Sequence, residues 1–395
     1  MDITQIPSQL ASLVVFHHLA EEPVLVRLND FLHSESRPAD EQIAAYSAFV
    51  RELFAHGCDF GAWLLDTAAA DENPYVIARA RGKSMPPVLA ACAKAELEIL
   101  SALSALSADD LCSRIPYSGY LPRFGRAPLD FPAEYERRMS DVQRSGYGIF
   151  AHNIMFDVRD GVLCPLRSPD STDIHALIGY HRERRQVLDN TLSLLRGLPA
   201  ANVLLCGDAG TGKSTTVKAI ANLLAPQGLR LVEMRKEQLR SIPSVMEQLR
   251  GSPLKFILFI DDLSFSRNDD NFGALKAILE GSATARAENV AIYATSNRRH
   301  LVRESFSDRG DDDVHRQDTM QELLSLSDRF GLTVLFSRPD KALYLEIVRE
   351  LAQRKGIVLP PEELDRQAEA FALRRGGRSA RAAEQLTDSL LSAAP

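Results

Sequence analysis

The stretch from Gly207 to Ser214 reads GDAGTGKS, a glycine-rich turn closed by a lysine and a hydroxyl. It fits the pattern GxxxxGK[ST], follows the apolar run NVLLCG (202–207) and precedes the helical pattern STTVKAIANLLA (214–225). A strand, a glycine turn and a helix in that order make a phosphate cradle. Backbone N–H groups across Gly207, Asp208, Ala209, Gly210, Thr211 and Gly212 can turn inward on phosphate oxygens. Lys213, Ser214 and Thr215 open a helix whose dipole adds positive potential. In such a cradle Lys213 reaches the β- and γ-phosphates of ATP, and the Ser214 hydroxyl ligates Mg²⁺. The bland alternative, a strand–helix turn with an incidental lysine, leaves the joint match of motif and context unexplained.

A second run, KFILFIDDLSF (255–265), is a strand with two carboxylates at its end, Asp261 and Asp262. Ionised groups at the edge of an apolar core are costly unless a cation meets them. The expected cation is Mg²⁺ carried in on the nucleotide, held by Asp261 with Ser214 and water. Asp262, one residue on, is placed to orient and deprotonate an attacking water. Its alternative role is that of a turn or N-cap acid after the strand.

These residues need a scaffold. The chain has 395 residues, 45% hydrophobic and 25% charged, which suggests two or three globular domains. A net charge of −7 argues against sequence-independent nucleic-acid binding by the whole chain, while a local basic groove stays open. The five cysteines are scattered without a CxxC pair, as expected of buried thiols in a reducing compartment. The first residues lack a basic segment followed by an apolar core, and no apolar run nears the roughly 18–20 residues of a membrane span. The expectation is a cytoplasmic protein with no membrane partner.

Residues 1–145 carry helical spacing broken by Pro and Gly, with YSGYLPRFGRAPLDFPAEY (117–135) as a long loop. His17 and His18, being adjacent, are not expected on one helix face. Beyond, five short strands alternate with helix-length segments: 202–207, 229–234, 255–261, 289–296 and 332–337. The expected fold is α/β, a five-stranded parallel sheet covered by helices, within a domain spanning 146–338. A helical lid follows over 339–395.

The segments PAANVLLCGDAGTGKSTTVKA, KFILFIDDLSF, LKAILEG, YATSNRRHL, SLSDRFGL and GGRSARAAEQ together resemble AAA+ P-loop ATPases, nearest to a bacterial AAA+ family of unknown function. The likeness covers residues 165–390. It implies ATP hydrolysis at a site shared between subunits of a homo-oligomer, a ring or partial ring. It also implies roles by position. Asn297, after Ser296 at the end of the fourth strand, is the polar sensor between the γ-phosphate and water. Arg329, ahead of Gly331, is a finger reaching a neighbour's nucleotide, although a helix C-terminus favours arginine by itself. Arg381, in the first turn after the N-cap Ser379, is the lid's phosphate sensor, with Arg378 as rival. Ile178 and Gly179 lie in the segment that meets adenine. Most relatives carry Glu where this chain has Asp262, a shorter reach consistent with slower hydrolysis.

Threading members present an aromatic loop after the second strand, but RKEQLRSIPSVMEQLRG (235–251) has no aromatic. The basic patch Arg298, Arg299, His300 and Arg303 could meet phosphate, a subunit or nucleic acid, or simply be solvated. Segment 303–319 is a candidate partner contact. Three functions remain: an ATPase that remodels or loads an unknown macromolecular client, an ATP-gated assembly switch, and a small-molecule phosphotransferase.

Overall fold

The computed structural model describes residues 2–263, 270–279, 288–297 and 329–392. It divides into two compact units, 1–152 and 153–395.

The first unit is helical: α1 (Ile6–Ala11), α2 (Pro23–Leu32), α3 (Ala39–Ala55), α4 (Phe60–Ala70), α5 (Pro74–Ala80), α6 (Pro87–Ser104), α7 (Ala108–Cys112), α8 (Phe131–Ser140) and α9 (Val142–Ser145). Local chemistry sets the starts. Asp59 accepts from the Ala62 amide at 2.8 Å, and Asn73 from the Val76 amide at 2.9 Å, with Pro74 at the first helical position. Ser107 and Asp110 close a reciprocal capping box. Apolar faces meet in an aromatic core that includes Phe16, Tyr46, Phe49, Phe60, Phe131 and Tyr135. A buried carboxylate, Glu96, accepts from the amides of Val14, Val15 and Phe16 at 2.9–3.1 Å. The long loop ends sooner than its composition suggests, because Asp130 caps α8 and Pro132 sits in its first turn. His17 and His18 share a 3₁₀ turn with ring centroids only 3.9 Å apart, so adjacency did not separate them.

The second unit is a seven-stranded sheet, two strands more than the alternation indicates. The strands are β1 (Met155–Arg159), β2 (Val162–Pro165), β3 (Val203–Gly207), β4 (Leu229–Met234), β5 (Lys255–Ile260), β6 (Val290–Ser296) and β7 (Leu332–Phe336), in the order β2-β1-β4-β5-β6-β3-β7. The five expected strands are parallel, and β1 adds in parallel beside β4. Only β1–β2 is antiparallel, a hairpin turning through Asp160 and Gly161 at φ 50° and 79°. Positive φ at both central residues gives the turn whose twist matches paired strands, and Asp-Gly is a preferred sequence for it. Strands β3, β4 and β5 are almost wholly buried, as continuous apolar runs require.

Flanking helices include α10 (His181–Leu195), α11 (Lys213–Leu224), α12 (Ile242–Leu249) and α13 (Asp270–Leu279). Three further helices form the lid: α14 (Lys341–Arg354), α15 (Pro361–Arg374) and α16 (Ala380–Ser392), with a core of their own around Tyr344, Ile347, Val348, Leu364 and Leu386. Gly331 does not take a left-handed conformation. Its missing side chain instead admits Ala201, whose Cβ would lie 3.0 Å from a Cβ at 331. No helix among the described residues is long and apolar enough to cross a membrane.

Candidate nucleotide site

The sheet order brings distant segments together. β3, ending in the glycine turn, pairs with β6, and β6 pairs with β5, so the C-terminal ends of these three strands lie side by side. That edge is where open parallel sheets hold ligands. A cavity of about 770 Å³ opens there, lined by the 209–216 turn and helix start, Asp261, Asp262, Thr295 and Asn297. The lid helices contribute Ile347, Arg354, Arg381 and Glu384, and the strap 176–178 closes the far side.

The turn is shaped by glycine where it must be. At Gly207, with φ 134°, a Cβ would sit 2.0 Å from the Phe336 carbonyl oxygen, a contact no side chain permits. Lys213 is 5% exposed and its Nζ donates to the carbonyls of Gly207 and Asp208 at 3.1 and 2.8 Å and to Asn297 Oδ1 at 3.0 Å. Burial among neutral acceptors holds its ammonium below the ordinary lysine pKa, although Asp208, Asp261 and Asp262 pull the other way.

Asn297 uses its other end as well: Nδ2 donates to Asp262 Oδ1 at 2.8 Å, so one amide bridges the lysine and the second acid. Asp261 Oδ1 accepts from Ser214 Oγ at 2.6 Å, Thr295 Oγ1 at 2.5 Å and the Asp262 amide at 3.2 Å. Asp262 has φ 53°, a left-handed backbone that costs a non-glycine residue but is least unfavourable for Asp and Asn. The Thr295 hydroxyl helps hold it by accepting from the Asp262 amide at 2.9 Å.

The two lid arginines separate cleanly. Arg378 makes a two-point pair with Glu369 at 2.9 and 2.7 Å, an internal lid contact. Arg381 lines the cavity, and its backbone amide donates to the Gly210 carbonyl at 3.3 Å. Ser379 does cap this helix, accepting from the Ala382 amide at 3.1 Å.

The strap is clasped from both sides. Arg184 is buried, donates to the carbonyls of Leu177 and Ile178 at 2.5 and 2.6 Å, and is pushed down to about 10 by burial, with the Glu183 charge pulling the other way. From the lid, Arg354 donates to the Ala176 carbonyl at 2.5 Å.

Of the residues singled out by sequence, Ile178, Ala209, Gly210, Thr211, Gly212, Lys213, Ser214, Thr215, Asp261, Asp262, Asn297 and Arg381 meet in this one cavity. Others stand outside its lining. Gly207 supports the turn from behind, and Asp208 accepts from the Arg338 amide at 3.0 Å. Gly179, with φ 69°, turns the strap against Leu343. Arg329, two residues before Gly331, is half-buried and is not among the residues that line the cavity. Arg298, Arg299, His300, Arg303 and 303–319 lie outside the described residues, as do 264–269 after Asp262. Thr295, Arg184, Arg354 and Glu384 were not singled out. Only Thr295 had a signal, its place beside Ser296 and Asn297 at a strand end.

A glycine cradle, an acidic strand tip one strand removed, and a helical lid stand together in this α/β unit, the arrangement that the sequence resemblance to AAA+ P-loop ATPases implies. Among solved structures, the Thermotoga maritima RuvB Holliday junction branch migration motor aligns at 17% identity and TM-score 0.37, over 55% of this chain and 63% of that one. Less than two thirds of the RuvB chain is therefore represented. The FIGL-1 AAA domain in complex with ADP aligns at 18% identity and TM-score 0.39, over 57% of this chain and 75% of that one. The search of curated proteins returned no match. Residues 150–394 match the family described as "Protein of unknown function (DUF815)", more than half of the chain, and the chain belongs to that family.

Proposed function

We propose that the second unit binds ATP with Mg²⁺ in this cavity and hydrolyses it to remodel or load a macromolecular client. One observation carries the reading: Lys213, Ser214, Asp261, Asp262 and Asn297, from three separate stretches of chain, form one connected hydrogen-bond network facing an open cavity. The residues also fit the groups required. Ala209, Gly210, Thr211 and Gly212 line the cavity, so phosphate oxygens can approach their backbone. A hydroxyl and a carboxylate oxygen 2.6 Å apart are the hard oxygen donors that Mg²⁺ prefers.

In this reading Lys213 exchanges its internal acceptors for the β- and γ-phosphates, and Ser214 and Asp261 hold the metal. Bound Mg²⁺ supplies neutralisation of phosphate charge. Asp262 accepts the proton of the attacking water, Asn297 orients that water, and Arg381 follows the phosphates from the lid. Arg329 reaches the site of an adjoining copy, so that turnover depends on assembly into a homo-oligomer.

Calorimetric titration of the full chain with Mg-ATP tests the site. The wild type should bind, and Lys213→Ala should lose affinity by at least about a hundredfold. Unchanged affinity in that variant would remove the cradle from the argument. Mixing Arg329→Ala with Lys213→Ala chains should restore part of the ATPase rate that each lacks alone.

A slow, ATP-gated assembly switch is favoured by a different observation. The Asp262 carboxylate is short and already accepts from Asn297. ATPase rate against protein concentration separates the two: cooperative acceleration supports the motor, and negligible turnover with tight binding supports the switch.

A further inference from the structure

Glu384 is a carboxylate in the wall of a cavity read as taking a polyanion, and it has no role in that reading. It sits on the cavity side of α16. Ala382, Ala383 and Leu386 are buried in the lid core, while Ala380, Arg381 and Glu384 line the cavity. Arg381 and Glu384 are three apart on one helix, a spacing that commonly closes an ion pair. Elsewhere in the lid one such pair closes at Glu363–Arg366, and a pair four apart closes at Glu350–Arg354. Among the described residues, neither Arg381 nor Glu384 has a side-chain partner.

The position of Glu384 along the cavity follows from contacts at either side of it on α16. Toward the N-terminus, Gly210 approaches the helix: a Cβ there would lie 3.1 Å from Arg381 Cβ and 3.5 Å from Ser379 Oγ. That is the phosphate end. Toward the C-terminus, Thr387 and Asp388 accept from Lys355 Nζ at 2.9 and 2.5 Å, and Lys355 follows Arg354, which holds the Ala176 carbonyl of the strap. That is the far end, where the apolar side chains of Ile178, Ile347 and Leu351 offer a surface for a base. At about 1.5 Å per residue, Glu384 lies roughly 4.5 Å along the helix from Arg381 and about as far short of Thr387. A nucleotide spanning the cavity sets its sugar between phosphates and base, opposite this carboxylate.

Resting on the reading of the cavity as a nucleoside triphosphate site, we propose that Glu384 reads the ribose. Its carboxylate accepts hydrogen bonds from the sugar hydroxyls, making the site selective for ribonucleotides over deoxyribonucleotides. An ionised acceptor is strong enough to discriminate, and a sugar lacking the hydroxyl leaves it without the bond.

The test is titration of the full chain with Mg-ATP, Mg-2′-deoxy-ATP, Mg-3′-deoxy-ATP and Mg-GTP. Wild type should bind ATP about tenfold more tightly than at least one deoxy analogue. Glu384→Ala should bring that ratio to about one, with affinity for the analogue kept within about twofold and the ATP-to-GTP ratio unmoved. Glu384→Gln, which keeps an acceptor oxygen, should retain part of the preference. Equal wild-type affinity for all three adenine nucleotides overturns the assignment, as does a preference that survives in Glu384→Ala. A common rise or fall for every nucleotide in that variant assigns Glu384 only a general charge effect and overturns it too. Loss of ATP-to-GTP discrimination alone would move Glu384 to the base. A wild type that binds no nucleoside triphosphate strikes at the cavity reading itself, a result distinct from all of these.

Discussion

Glu96 in the first unit and Asp261 in the second are carboxylates with several hydrogen bonds each, and they are satisfied in opposite ways. Glu96 is buried and takes three successive backbone amides, groups fixed by the chain path around Val14–Phe16. Asp261 is exposed and takes two hydroxyls and its neighbour's amide. Hydroxyls can rotate away or serve a metal, whereas amides of a packed segment cannot leave. The first arrangement fastens a structure. The second keeps a site ready for exchange. The same contrast separates Arg378, paired within the lid, from Arg381, which faces the cavity.

Perturbation should therefore split into stability and ligand effects. The largest expected change is in Asp262→Ala: single-turnover phosphate release should slow by about a thousandfold, near 4 kcal/mol, while Mg-ATP affinity stays close to wild type. Normal turnover would remove Asp262 as the proton acceptor. Glu96→Ala should lower the unfolding free energy of the first unit by about 3 kcal/mol, because three buried amides lose their acceptor. Urea melts followed by circular dichroism measure it, and an accompanying loss of ATP affinity would break the contrast. Arg381→Ala should weaken Mg-ATP binding by about tenfold with an unmoved melting midpoint. Arg378→Ala should do the reverse, lowering the midpoint and sparing affinity.

The smallest effect is a pH dependence. Lys213 has a lowered pKa when folded, so its protonated form costs stability at neutral pH. Between that lowered value and the ordinary lysine value the unfolded chain binds more protons, so this contribution improves as pH rises. Unfolding free energies of wild type and Lys213→Met across alkaline pH should show a rise in the difference between them. A flat difference would mean the ammonium is adequately solvated.

Much of the second unit was legible because buried parallel strands are continuous apolar runs with one helix between each. The β1–β2 hairpin escaped because its short strands alternate apolar with polar or exposed residues and so lack the continuous apolar run that marked β3, β4 and β5. Yet Asp160-Gly161 between apolar alternations was a readable turn. In the site, contiguous motifs gave the phosphate turn and both strand-tip acids. Arg184, Arg354 and Glu384 had no such signature, since their relevance comes from a strap and a lid folding over the cavity. Arg378 and Arg381 stayed tied in sequence, where both flank the capping serine, and are told apart by Glu369, nine residues upstream of Arg378.

The crowding at Gly207 has an effect beyond the turn it shapes. The Phe336 carbonyl that bars a side chain there also accepts from the Asp208 amide at 3.2 Å, and the Phe336 ring lies 5.4 Å from that of Tyr180. Tyr180 directly follows the strap and donates to the Ser337 carbonyl at 2.7 Å. A methyl group added at 207 must push the end of β7, and β7 in turn bears on the segment that closes the opposite side of the chamber. Opposite walls thus share a hinge pin, and damage to one jamb shows up as a misfit at the other.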